Sequence, residues 1–161
     1  MGLVHATLVY IVRAEEILLM RRRKEPNLGW LSPPGGKLRD GEPASECAAR
    51  EMLEETGLVA RAMELRATVH HLGPAEDEQW MQYLFLVDAF EGELVRSGVE
   101  GDLDWYRIDD LKSGRLPIPP ADPFFHPLVL GDAASSAGDP AHLRIVHAPD
   151  GSVDRVEAVE P

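Results

Sequence analysis

The chain has 161 residues, 44% of them apolar and 27% charged, which suits a single soluble domain and leaves no run near the ~18 apolar residues of a membrane span. Sixteen basic residues against twenty-eight acidic ones give a net charge of −12, a surface that repels polyanions and argues against a nucleic-acid polymer as partner. One cysteine, Cys47, excludes an internal disulfide. The first residues carry no basic run, and Ala6 stands where an acylation signal needs Ser or Thr, so a cytoplasmic protein is expected.

In chain order, Leu3 to Val12 and Ile17 to Arg21 read as a strand hairpin around Glu15-Glu16. The basic cluster Arg21-Arg22-Arg23-Lys24 follows, as apt to be a solvated strand end as a phosphate guide. A breaker-dense loop runs from Pro26 through Pro33-Pro34-Gly35-Gly36. Pro43 to Thr56 reads as a helix, with Pro43 at the first helical position and Gly57 as a left-handed C-cap. Leu65 to His71 and Trp80 to Phe90 suggest a strand pair, Leu103 to Ile108 a shorter strand, and Asp109 to Ser113 one helical turn. Leu116 to Pro127 is Pro-rich, and Ala133 to Pro140 has the small, polar composition of a linker. Leu143 to Ala148 and Val153 to Val159 flank Pro149-Asp150-Gly151 as a second hairpin. The expected division is a domain over 1–132, then a linker and C-terminal β-hairpin extension over 133–161. Three uses are open to that hairpin: a dimer arm that would make a homodimer, an extra sheet edge, or a lid.

The acids of the helix carry the chemistry. Glu51, Glu54 and Glu55 fall at i, i+3 and i+4, within one narrow sector. They crowd the helix C-terminus, the end where the macrodipole disfavours anions. Such a run is ordinarily a solvated face. It also suits a hard divalent cation, which takes oxygen ligands at about 2.1 Å for Mg²⁺. Arg50 beside the cluster can hold carboxylates through its planar fork, and the glycine turn before the helix lets backbone approach phosphate or metal closely.

The spacing matches the Nudix box, Gly-x5-Glu-x7-Arg-Glu-U-x-Glu-Glu-x-Gly-U with U a bulky aliphatic residue. Gly36, Glu42, Arg50, Glu51, Met52, Glu54, Glu55, Gly57 and Leu58 fill every specified position. From this chain's own residue frequencies, a chance match is on the order of 10⁻⁶. The chain thus resembles the Nudix hydrolases over about residues 3–131. The resemblance implies an α/β fold: the family's αβα sandwich with a mixed β-sheet and a loop-helix-loop catalytic motif. By the same resemblance the Gly36 carbonyl, Glu51, Glu54 and Glu55 look like ligands to Mg²⁺ or Mn²⁺, one glutamate also taking the proton of the attacking water. Arg50 looks like the residue that orients carboxylates, and Glu42 like a secondary, water-mediated contributor.

Outside the box the chain is most similar to the MutT-like group, which hydrolyses nucleoside triphosphates, oxidised ones among them. Gly29-Trp30 before Pro34-Gly35-Gly36-Lys37 resembles that group's approach to the box, with Lys37, and Arg23 upstream, near the phosphates. Glu100 matches an additional acidic ligand or base, and Asp122 resembles a group that reads a purine edge. The aromatic base-stacker expected just before Asp122 is missing, because Pro119 and Pro120 occupy the stretch. Trp30 and Trp105 suit core or lid packing as well as stacking. His70 and His71 point to opposite faces of one strand and make an unsuitable metal pair. Cys47 reads as a small hydrophobe. The resemblance therefore implies Mg-dependent hydrolysis of purine nucleoside triphosphates to monophosphate and pyrophosphate. The alternatives are a Nudix enzyme of dinucleoside polyphosphates, ADP-ribose or another nucleotide sugar, and a catalytically inactive nucleotide-binding module.

Overall fold

The computed structural model describes residues 2–25, 27–73, 75, 77–131 and 138–160. Strand β1 (Val4–Arg13) turns at Ala14 and Glu15 into β2 (Glu16–Arg22), and the two-residue β3 (Leu31–Ser32) pairs with β2. Helix α1 (Ala44–Thr56) leads through Gly57 into β4 (Leu58–Leu72), which pairs antiparallel with β5 (Gln79–Gly92). Then come β6 (Gly101–Arg107), α2 (Ile108–Lys112), α3 (Asp122–Leu130), β7 (Ala141–His147) and β8 (Val153–Ala158). The strand order is β3-β2-β1-β5-β4-β7-β8, with β6 also on β2. The β1·β5 and β4·β7 pairs are parallel and the others antiparallel, so the sheet is mixed, as expected.

Strand alternation builds two cores, one on each face. On one face Tyr10, Ala67, Val69, Leu84 and Ile145 pack with Phe125 and Val129 of α3 and Leu111 of α2. On the other, Val9, Ile11, Phe85 and Val87 pack with Ala48 and Met52 of α1. Helices on both faces make the αβα sandwich. Phe125 is fully buried, and its truncation to alanine costs about 3–5 kcal/mol.

Some boundaries differ from the expectation. Pro43 has extended backbone, φ −64° and ψ 148°, and is the residue before the helix rather than its first. Gly57 is left-handed at φ 78° and donates its N–H to the Leu53 carbonyl, the C-cap read from the sequence. Strand β4 starts at Leu58, not Leu65, because register shifts between Ala60 and Ala67 break the alternation that marks a strand. The Pro-rich stretch Leu116 to Pro127, given no helix from the sequence, runs into helix α3 from Asp122. Pro127 lies inside the helix, and burial of Phe125, His126 and Val129 outweighs the backbone bond that proline forgoes. Residues 133–137 of the expected linker lie outside those described.

Candidate active site

The loop before α1 is laid along β1. Thr7 N–H donates to the Gly36 carbonyl at 2.8 Å and Val9 N–H to that of Pro34 at 2.7 Å. A Cβ on Gly35 would stand 1.9 Å from the Thr7 carbonyl oxygen, and one on Gly36 2.5 Å from the Glu51 carboxyl group. Glycine alone permits that approach, which sets the Glu51 carboxylate against the loop backbone. Gly35 N–H donates to Glu55 Oε2 at 3.0 Å, so loop and helix are joined at the acidic sector.

Arg50 organises the carboxylates around it. Its Nε and Nη2 grip Glu42 bidentately at 2.8 Å each, Nη1 donates to Glu51 Oε1 at 2.8 Å and to Glu54 Oε2 at 3.3 Å, and Nη2 reaches the Lys37 carbonyl at 3.3 Å. The hydrogen bonds to Arg50, with a second from Arg39 N–H, pull the Glu42 carboxyl down to about 2. Those from Glu42 in turn raise the Arg50 pKa above its ordinary value. Glu42, expected as a secondary, water-mediated contributor, is thus a direct partner of Arg50. Arg50 spans box and loop through one planar fork, which a lysine cannot do.

Glu51 and Glu55 are set apart by desolvation. Burial raises Glu51 above the usual carboxylate range against the pull of Arg50. Burial, together with the charges of Glu51 and Glu100, pushes Glu55 up to about 8, despite the opposing hydrogen bond from Gly35. Negative charge on this pair is disfavoured until a cation or a proton arrives to compensate it.

These residues line a cleft of about 750 Å³ running from α1 to the β1–β5 face. Gly36, Lys37, Arg50, Glu51, Glu54, Glu55 and Glu100, all singled out in the sequence, meet there. Arg23 and Asp122 do not line it, which corrects the expectation that they meet substrate. Arg23 lies beyond the end of β2 and is bound to the Gly98 carbonyl, Ser97 and Asp102. Its neighbour Arg22, in step with Met20 on the strand, lines the cleft instead. Asp122 opens α3 and is 7% exposed, inside the core. There its Oδ2 stands 3.3 Å from His126 Nε2, while Tyr10 hydroxyl and His126 Nδ1 are 2.7 Å apart. Burial raises the Asp122 pKa, and the proximity of His126 only moderates it.

Sequence reasoning missed Trp80 and Gln82. Both line the cleft from β5, and Lys37 Nζ stands 5.3 Å from the Trp80 ring centroid. The sequence shows them as alternate residues of one strand, but the pairing that sets them opposite Val4 and Ala6 of β1 is tertiary. Trp105 instead stacks on Phe90 beneath Arg13, as the packing reading allowed. Cys47 is buried, and burial raises its thiol pKa, in keeping with a small hydrophobe.

Among the described residues no three His, Cys, Asp or Glu side chains stand together as a ready-made cage for a metal. The donor chemistry nevertheless fits a hard divalent ion. Glu51 Oε2 and Glu55 Oε1 accept no hydrogen bond among the described residues, and neither is buried, so both open on the cleft. The Gly36 carbonyl already accepts from Thr7 N–H at 2.8 Å and, more weakly, from the Thr7 hydroxyl at 3.4 Å and the Cys47 thiol at 3.6 Å, so a cation there would displace the two weaker donors. Oxygen donors alone, carboxylate and carbonyl, are the set that Mg²⁺ and Mn²⁺ prefer.

Comparison with known proteins bears on the family and the fold. The NUDIX domain family model matches residues 2–127. An uncharacterized Nudix hydrolase, YvcI of Bacillus subtilis, is 31% identical over 111 residues, 67% of this chain and 67% of the relative. An oxidized purine nucleoside triphosphate hydrolase of Danio rerio is 30% identical over 110 residues, 68% of this chain and 70% of the relative. The crystal structure of a mutator MutT protein from Bacillus halodurans has a TM-score of 0.81 and 26% identity, and the match covers 98% of this chain and 99% of that one.

Proposed function

The chain belongs to the Nudix hydrolase family, and from that premise we propose that it is a Mg²⁺-dependent pyrophosphohydrolase of purine nucleoside triphosphates, oxidised guanine nucleotides among them. It releases the nucleoside monophosphate and pyrophosphate. The observation that carries the reading is the convergence of Glu51, Glu54, Glu55 and Glu100 with Arg22, Lys37, Arg39 and Arg50 around one cleft. Equal numbers of acids and bases suit a ligand that brings both anionic phosphates and bound cations.

Glu51, Glu54, Glu55 and the Gly36 carbonyl would hold the metal, with Mn²⁺ as a substitute for Mg²⁺. When bound, it neutralises pyrophosphate charge and lowers the pKa of a coordinated water. The protein's own groups do the rest. Arg50 keeps Glu51 and Glu54 aimed at the loop while Glu42 anchors the guanidinium. Glu55, ionised once a cation occupies the site, would offer its free Oε1 to the proton of the attacking water. Glu100 adds a carboxylate across the cleft. Lys37 and Arg22 draw in the phosphates, as point charge and as fork. Trp80 serves as the aromatic platform for the base, the role left vacant upstream of Asp122. The protein is proposed to work in the cytoplasm as one catalytic domain over 1–132 with the hairpin as an extension.

The test is a panel of ordinary and oxidised nucleoside triphosphates, dinucleoside polyphosphates and ADP-ribose, with Mg²⁺ and with products identified. Higher kcat/KM for a purine triphosphate than for every other substrate is expected. A panel led by ADP-ribose or a dinucleoside polyphosphate overturns the substrate and leaves the family chemistry in place.

A further inference from the structure

The wall of the cleft facing away from α1 belongs to the central strands. Ala6 and Leu8 of β1 and Trp80 and Gln82 of β5 line it, with Ala6 directly opposite Gln82 in the parallel register. On its other side Gln82 pairs with Val69 of β4, so its side chain stands at the middle of the sheet. Trp80, two residues earlier on the same face, is about 7 Å away along the strand. A purine lying on the Trp80 ring therefore brings one edge within reach of the Gln82 amide.

That amide is held from behind. Gln82 Oε1 lies 2.7 Å from His71 Nε2, and His71 Nδ1 lies 2.9 Å from His147 Nε2. The two imidazoles stack at 5.2 Å with planes 23° apart. His147 ends β7, which joins the sheet beside β4, and it does not line the cleft. Phe125 of α3 packs edge-on against His71 and fixes the ring from the core side.

With the Gln82 oxygen turned to His71, this chain has a direction. An amide oxygen only accepts, so His71 Nε2 carries the proton. A neutral imidazole has one N–H, so His71 Nδ1 accepts and His147 Nε2–H donates. Burial holds the His71 pKa at about 4, which keeps that ring neutral. The Gln82 NH₂ takes no partner among the described residues, yet it is not a buried orphan, so it opens on the cleft its residue lines. A free glutamine would turn its amide over at little cost and offer oxygen or NH₂ alike. An Nε2–H on His147 removes that choice, because His71 Nδ1 must then accept and only its Nε2 can donate to Gln82.

We infer that the His147–His71–Gln82 chain locks the Gln82 NH₂ into the cleft as a hydrogen-bond donor, so that the site selects bases with a carbonyl oxygen at the edge it meets over bases with an amino group there. The inference rests on the nucleotide reading proposed above. Gln82 is the specificity-determining residue, and His71 and His147 are positioning residues. The C-terminal hairpin thereby reaches the substrate site without touching substrate.

Two measurements on the full chain test it. Nitrogen-15 NMR of the imidazoles reads the tautomers at pH 7. Nε2–H is expected for both His71 and His147, and an Nδ1–H tautomer at His71 overturns the relay. The second measurement is kcat/KM for inosine triphosphate relative to adenosine triphosphate, the first with a carbonyl oxygen at position 6 and the second with an amino group. The wild-type chain favours inosine triphosphate. His147→Phe keeps the ring stack but offers no N–H, and lowers the ratio about tenfold, through KM more than kcat. His147→Gln keeps a donor and recovers part of the ratio. Gln82→Glu still accepts from His71 but has no outgoing donor, and it shifts the preference toward adenosine triphosphate. A ratio unchanged in His147→Phe, with triphosphates still cleaved, overturns the inference and spares the proposed function. A wild-type chain that cleaves neither triphosphate but does cleave another nucleotide diphosphate derivative overturns the proposed function itself, and the base-edge selection falls with it.

Discussion

Glu55→Gln separates the chemistry of the site from its stability. Desolvation raises the Glu55 carboxyl from an ordinary 4.5 to about 8 in the metal-free protein. The folded state therefore holds a proton that the unfolded chain has released, and between about pH 4.5 and 8 stability falls as pH rises. At roughly 1.4 kcal/mol per pH unit the upper bound on that loss is about 5 kcal/mol. Water in the cleft screens part of it, leaving about 2–3 kcal/mol. Glutamine keeps an oxygen for the Gly35 N–H and carries no charge. Metal-free Glu55→Gln should thus melt about 4–10 °C above wild type at pH 8, and the gap should close toward pH 5. In Mg²⁺ the same variant should lose about 10²-fold or more in kcat, and Mg²⁺ should raise its melting temperature less than that of wild type. Calorimetry across pH in a chelating buffer and a pyrophosphate-release assay read the two effects. Equal melting temperatures at pH 8 refute the desolvation argument, and near wild-type turnover refutes the assignment of Glu55.

Arg50→Lys keeps the charge but loses the fork that holds Glu42, Glu51 and Glu54, so steady-state kinetics should show a large fall in kcat with a smaller change in KM; a KM effect larger than the kcat effect would mean that Arg50 contacts substrate. Trp80→Ala should raise KM for nucleotides about tenfold or more, the value of one base stacked on an aromatic ring, with kcat much less affected. Equal KM values in the two proteins remove Trp80 from the base site. Burial lowers the His71 pKa from 6.5 to about 4, so its contribution is present above pH 6.5 and lost as pH falls toward 4. Acid unfolding of His71→Gln should lack that component, and an identical acid limb in both proteins would rule it out.

Much of the site was legible because the box is local. Its acids lie within five residues of one helix, and helical periodicity alone sets Glu51, Glu54 and Glu55 on one face. The helix end was legible too, since Gly57 has the left-handed backbone that only glycine adopts freely. The strands of the two hairpins followed from β-branched runs and turn residues. Helix α3 did not, because Leu116 to Pro127 is Pro-rich, and burial of Phe125 and Val129 decided in favour of the helix.

By itself the sequence determined the family and set three glutamates in one helical sector, the sector proposed here as catalytic, since each depends on residue spacing within one element. Only the tertiary structure decided which side chains from distant elements meet that sector. Strand parity gives every residue a face, but the pairing of β1 with β5 determines that Trp80 and Gln82 face the cleft. Parity continued from Met20 brings in Arg22, while Arg23, past the strand end, is taken up by Ser97 and Asp102. Asp122 resembles a base-reading residue in sequence but is buried at the start of α3, where it faces His126 one turn on and His126 in turn meets Tyr10 of β1. A face is a local property of the chain; what lies opposite it depends on contacts between residues far apart in sequence, and no window of the sequence contains both partners.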